Sequence, residues 1–353
     1  MTRLFAALSA LLLCASLAQA EEFEFLGEYR LPTGLSIAGV EFGGLSAIDY
    51  DPETGTFFAL SDDRGRRGPP RFYELRLALS AEGIAGVDVL GFTALKSGGT
   101  VYAENEVDPE ALRLGAPGGG FYWAHEGDLL DRPLVGIIGR DGAAVRAFAL
   151  PASHSPNADK TAGPRRNLSF ESLAVTETQI VSAHENALRQ DGPEADVGAP
   201  SPSRVLVFDR ASGEVAAEYV YEADAVAEAP VPADGFRSGG LVELLTRPEG
   251  GFYALERSFS VGRGTTVTLY RTGFGGATAV TGAQSLKGVD YAPMPKERVL
   301  SLPADLPIDA VDNLEGMTFG PEIDGARTLV MVSDNNFNPK GQFTQFLLFR
   351  IRD

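Results

Sequence analysis

The stretch that decides the fold is "EGMTFGPEIDGARTLVMVSDNN", residues 315–336. It opens on an acid, runs through a short apolar segment, turns at Asp324-Gly325 and returns through Leu329-Val330-Met331-Val332. It then stops abruptly on Asp334, Asn335 and Asn336. Short β-rich runs bounded by Gly, Pro, Asn and Asp read as strand, tight turn, strand. Four other segments align with it: "GLSAIDYDPETGTFFALSDDRG" from Gly44, "EALRLGAPGGGFYWAHEGD" from Glu110, "ESLAVTETQIVSAHENA" from Glu171 and "GLVELLTRPEGGFYALERS" from Gly240. The five repeats start 66, 61, 69 and 75 residues apart.

A third strand follows each pair, at 71–77, 133–140, 203–209, 265–271 and 344–351, with the second of these the weakest. Outer fourth strands are visible at 86–95, 144–150, 214–221 and 297–302. Four strands per repeat at this spacing predict an all-β chain, a β-propeller of five four-stranded blades. The weak pattern between about 272 and 312 leaves room for a sixth. The last repeat stops after three strands, so "EFEFLGEYRL" at 22–31 is expected to supply its fourth and close the ring from the other terminus.

Ahead of that strand stand Arg3, an uncharged apolar run from Leu4 to Leu17, and Ala18-Gln19-Ala20. This pattern predicts a signal peptide over residues 1–20, cleaved after Ala20, and a periplasmic or secreted product with one propeller domain over 21–353. Cys14, the one cysteine of the sequence, lies in that leader. Stability is therefore expected from core burial or bound metal rather than disulfides. No other segment reaches the roughly 20 apolar residues of a membrane span. The formal net charge of −18 becomes −19 once Arg3 is removed, which disfavours nucleic acid and anionic membranes as partners. It suits either a well-solvated exported protein or a cation site.

Aligning the second strands on their final acids puts Asp62, Glu126, Glu185, Glu256 and Asp334 in one column. A second column at the start of the first strands holds Glu110, Glu171 and Glu315, with Gly44 and Gly240 in the other two repeats. In an antiparallel hairpin these positions share one end, so both columns converge on one face of the propeller. First strands line the channel, so the three glutamates are expected to point at the axis. Carboxylates gathered there repel one another and lose solvation, and either a counter-cation or turn-capping partners must compensate. Oxygen-rich, thiol-free surroundings favour Ca²⁺, with Mg²⁺ or Mn²⁺ as alternatives, and the candidate ligands are Glu110, Glu171, Glu315, Asp62 and Asp334.

His125 and His184 precede acids at equivalent positions and are candidates for proton transfer, metal ligation or structural hydrogen bonding. His154 reads as a surface loop residue. Arg64, Arg66, Arg67, Arg165, Arg166, Arg237 and Arg257 cluster near the acid face, where they would bind an anionic group or form surface ion pairs. There is no nucleophile-elbow G-x-S-x-G, P-loop or H-E-x-x-H.

The segments "GGLSAIDYD", "ALSDDRG", "FYELRL", "NLSFESLAVT", "GFYALERSFS", "DNLEGMTFG" and "VSDNNFNPKGQFTQFLLFRI" resemble the phytase-like family with esterase-like activity, exported bacterial β-propellers. The resemblance spans about 40–351. It implies a phosphoesterase or carboxylesterase, calcium-assisted by analogy with β-propeller phytases. The reading that results is a monomeric, metal-assisted ester hydrolase acting on a small-molecule ester, with phosphate monoesters the first candidates. Arg64 and Arg257 would orient the anion, and His125 or His184 would carry the proton. The rivals are a calcium-dependent lactonase or carboxylesterase and a non-catalytic periplasmic binding propeller.

Overall fold

The computed structural model describes residues 21–352, so the expected leader lies outside the described residues. Five four-stranded antiparallel sheets make five blades. Blade 1 is Leu45–Asp51, Thr56–Ser61, Arg71–Ser80 and Gly83–Ala94. Blade 2 is Pro109–Leu114, Phe121–His125, Leu134–Ile138 and Ala144–Ala147. Blade 3 is Phe170–Val175, Gln179–His184, Ser201–Asp209 and Val215–Ala223. Blade 4 is Arg237–Thr246, Phe252–Ser260, Gly264–Thr272 and Lys296–Leu302. Blade 5 is Asn313–Ile323, Ala326–Asp334 and Phe343–Arg352, completed by the N-terminal Glu22–Pro32 paired antiparallel to Phe343–Arg352.

The expected ring closure is therefore present, and the described residues form no sixth blade. The stretch 272–312 instead leaves blade 4 as a long excursion between its third and fourth strands. There Val280 and Leu286 pack on Val220 of blade 3, while the N–H groups of Val280 and Met294 bond to the carbonyls of Glu218 and Val220. The excursion occupies backbone groups of blade 3's outermost strand that would otherwise present a free edge.

Alternation puts apolar residues on both faces of each blade, because each sheet is sandwiched between two neighbours. Five large apolar clusters result, one at each junction. Phe58, Leu60 and Phe72 meet Leu112, Phe121 and Trp123 between blades 1 and 2, and Leu255 and Leu269 meet Leu314, Met317 and Leu347 between blades 4 and 5. Truncating a large member of such a cluster costs roughly 3–5 kcal/mol.

The channel is closed part-way along. Arg113, 4% exposed, turns its guanidinium onto the axis and donates to one backbone carbonyl from every blade: Ile48 (2.7 Å), Leu112 (3.3 Å), Leu173 (2.9 Å), Leu244 (3.2 Å) and Met317 (3.0 Å). Five N–H groups meet five carbonyls, which matches the donor count of guanidinium. Buried Glu243 balances the charge at 2.6 Å.

Candidate metal centre

Each first strand carries a β-bulge at the same register. The residue left unpaired is Ser46, Glu110, Glu171, Val242 or Glu315 in blades 1 to 5. A bulge re-aims the side chain it carries, and it brings the glutamates of blades 2, 3 and 5 to the channel mouth. The residue just before the bulge pair sits opposite the second-strand column, giving the pairs Gly44/Asp62, Asp108/Glu126, Ser169/Glu185, Gly240/Arg257 and Asn313/Asp334.

Two alignments made on sequence are corrected by this register. The bulge partners of Glu110 are Ser46 and Val242, not Gly44 and Gly240. In blade 4, Glu256 pairs with Leu241, one place earlier than the acids of the other blades, so Arg257 holds the column position. A slip of one residue sends a side chain to the opposite face. Glu256 accordingly lies between blades 3 and 4, accepting from Tyr221 Oη at 2.6 Å and Lys296 Nζ at 2.6 Å. The glycines have a steric reason instead: a Cβ on Gly240 would lie 2.5 Å from Glu185 Cγ.

The mouth thus gathers Asp62, Asp108, Glu110, Glu126, Glu171, Glu185, Glu315 and Asp334. Of the expected ligands, all five are present, and Asp108, Glu126 and Glu185 join them. Asp108 was legible as a polar residue two places before a bulge glutamate, the position of Ser169 and Asn313 in other repeats. One oxygen each from Asp108, Glu110 and Glu126 lie within 4.8 Å of one another, as do oxygens of Glu126, Glu171 and Glu185.

Burial pushes Glu110, Glu126 and Glu171 well above the usual carboxylate range, and neighbouring carboxylates add to the effect. Burial raises Asp108 to about 6, against the pull of Arg64, and Glu185 to about 7, against that of Arg257. Asp334 is raised to about 8 by burial and by Glu315. Two arginines enter the bowl. Arg64 Nε holds Asp108 at 2.5 Å and bonds Asn167, while Arg257 reaches Glu185 at 3.1 Å, Glu315 at 3.4 Å and the amide oxygen of Asn313. Asn313 in turn donates to Glu315 (2.8 Å) and Asp334 (3.2 Å).

The carboxyl oxygens Asp62 Oδ1 and Glu126 Oε2 are buried without a hydrogen-bond partner. An all-oxygen donor set with orphaned carboxyl oxygens fits Ca²⁺ and, less well, smaller hard cations. Two cavities flank the corner Arg166-Asn167. One of about 230 Å³ is lined by Arg64, Asp108, Glu126 and Arg166, and one of about 820 Å³ by Glu185, Arg166, Arg237, Arg257, Arg263 and Asn313.

The histidines stand apart from the bowl. They precede the column acids, so alternation turns them to the other face. The His125 ring packs at a tilt against Trp123, and burial lowers its pKa to about 4. His184 Nε2 lies 2.8 Å from His154 Nδ1, and its Nδ1 faces Ser169 Oγ at 3.2 Å. His154, expected on the surface, is fully buried and continues the chain to Glu218 at 2.8 Å, which in turn holds Arg204.

Residues 40–337 match the phytase-like family described by the esterase-like activity of phytase. The chain belongs to the phytase-like family. That description places this phytase-like protein among hydrolase-type propellers. Among solved structures it is similar to a bifunctional GH43-CE protein of Bacteroides eggerthii, at 12% identity and a TM-score of 0.45 over 90% of this chain; it spans only 34% of that longer chain. It is also similar to a putative glycoside hydrolase from Parabacteroides distasonis, at 10% identity and a TM-score of 0.44 over 93% of this chain and 96% of the other. No curated protein matches its sequence. No helix among the described residues is long and apolar enough to cross a membrane.

Proposed function

We propose that this phytase-like protein is an exported, cation-assisted ester hydrolase whose substrate carries an anionic group, with phosphate monoesters the first class to assay. The observation that supports it most is the coexistence of eight carboxyl groups and two arginines at one closed channel end, opening onto an arginine-lined cavity of about 820 Å³. Export is supported by the leader-like pattern of residues 1–20.

A bound divalent cation, Ca²⁺ first, would polarise the ester and lower the pKa of a coordinated water. The protein's own groups divide the remaining work. Glu110, Glu126, Glu171 and their neighbours hold the cation. Arg166, Arg237 and Arg257 face the larger cavity and suit a phosphate or carboxylate on the substrate. A mouth carboxylate with its pKa raised toward neutrality, such as Glu185, is suited to take a proton near pH 7. Arg64, committed to Asp108 and Asn167, positions the bowl. His125 and His184 face away from it and are given no role in the chemistry.

The test is release of phosphate or nitrophenol from phytate, p-nitrophenyl phosphate and p-nitrophenyl acetate by protein stripped with EDTA and then resupplied with Ca²⁺. Turnover is expected to vanish on stripping, return with Ca²⁺, and fall by about 100-fold or more in Glu171→Gln, the scale on which active-site electrostatic groups act. Turnover confined to p-nitrophenyl acetate would reassign the substrate to neutral esters. Absence of turnover throughout would overturn the hydrolase reading in favour of a binding propeller.

A further inference from the structure

We infer that the mouth holds two cations side by side, one on Asp108, Glu110 and Glu126 and one on Glu126, Glu171 and Glu185, with Glu126 shared between them. The inference deepens the reading above and rests on the bowl being cation-binding. Oxygens around one Ca²⁺ at about 2.4 Å lie at most about 4.8 Å apart, and each trio meets that limit. Glu126 belongs to both trios. It directly follows the second strand of blade 2, between the bulge glutamate of its own blade, Glu110, and that of the next, Glu171. Only one of its oxygens is taken, Oε1 by the Ser169 N–H, while Oε2 is buried with no partner in a side chain only 4% exposed. An unsatisfied buried carboxyl oxygen is costly, and a cation on that side would remove the cost.

The distribution of arginines points the same way. Arg64 neutralises Asp108 at one end of this arc, and Arg257 neutralises Glu185 at the other. Among the described residues no arginine or lysine lies within ion-pair distance of Glu110 or Glu171, in the middle, and the two fall in different trios. One ion seated in either trio would leave the other central glutamate unmatched. In the opposite half of the mouth Arg257 and Asn313 already serve Glu315 and Asn313 serves Asp334, which leaves Asp62 Oδ1 as the orphaned carboxyl oxygen on that side.

The experiment counts ions on the full-length mature chain. EDTA-treated protein is titrated with Ca²⁺ by calorimetry, and bound calcium is measured after equilibrium dialysis. Two Ca²⁺ per chain are expected. Glu110→Gln and Glu171→Gln should each leave one, and Glu126→Gln should weaken both sites by about tenfold or more. Saturation at one ion, or retention of one unaltered site in Glu126→Gln, overturns the inference. If Glu126→Gln fails to fold, as read by circular dichroism, the other two variants still decide it: loss of the same single ion from both, or of neither, refutes the shared arrangement. Two bound ions without hydrolysis would refute the hydrolase reading alone, and hydrolysis with one bound ion would refute this inference alone.

Discussion

Arg113 shows how much one side chain can organise. Its guanidinium is the common hydrogen-bond partner of five carbonyls that occupy the same position in five different blades, so the ring is tied at its axis by a single residue. Removing it would leave Glu243, 1% exposed, as a buried carboxyl without its ion pair, and four carbonyls of other blades without this donor. Loss of one partner from a buried pair costs about 3–5 kcal/mol. Arg113→Met is therefore expected to lower the unfolding free energy from urea titration by about 3–5 kcal/mol, seen as a lower midpoint, and the double variant Arg113→Met/Glu243→Met to recover part of it. An unchanged midpoint in the single variant would show that the axial ring contributes nothing. In the sequence this residue is one arginine in "EALRLG", and the first strands of the other blades hold Asp49, Ala174, Leu245 and Thr318 there, so repeat alignment gives no hint of a shared role.

At the scale of the element, strands were legible because period-two alternation and turn residues are local. Register was not, because it is set by hydrogen bonds between strands. Anchoring blade 4 on Glu256 placed it one residue out, and the bulge in each first strand is invisible to a pattern that assumes strict alternation. The N-terminal strand tests the ring closure directly. Glu22–Pro32 covers the edge of Phe343–Arg352, and Glu21 beside it accepts from Tyr253 at 2.7 Å and Arg271 at 3.0 Å on blade 4. A chain lacking residues 21–32 should melt roughly 10 °C or more lower, the shift that a loss of several kcal/mol produces in a chain of this size. A peptide of those residues added in trans should restore part of it by strand addition. Melting at the original temperature would mean that the ring does not depend on this strand.

For the molecule as a whole, the mouth couples stability to pH and to cations. Asp108, Glu185 and Asp334 titrate near 6, 7 and 8 in the folded chain, against about 4 for carboxylates in an unfolded one. The folded state then holds more protons than the unfolded state. Stability contributed by these protons is lost as pH rises toward and through the folded values. Arg64 and Arg257, the cations facing these groups, are already included in those shifts. Cation-free protein is expected to lose about 1 kcal/mol or more between pH 7 and pH 8.5, the scale of one proton per pH unit. The histidines contribute little there, since an unfolded histidine titrates near 6.5. Saturating Ca²⁺ should flatten that slope and raise the melting temperature most at pH 8.5. Equal melting temperatures at both pH values in EDTA would show that the mouth carboxylates are not held protonated.

The sequence by itself determined the propeller with its five repeats, the strand borrowed from the N-terminus and the convergence of acids on one end, because alternation, turn chemistry and repeat length are local quantities that recur; that 272–312 adds no sixth blade was decided by the structure. It also placed Glu110, Glu171, Glu315, Asp62 and Asp334 at the mouth. Only the tertiary structure decided which residue fills each place around the axis: Arg257 rather than Glu256, Ser46 and Val242 at the bulges, Asp108 and Glu126 in the arc, and the histidines turned away. Those assignments depend on register and on which blade abuts which. Both are fixed by pairing and packing between segments some 60 or 70 residues apart.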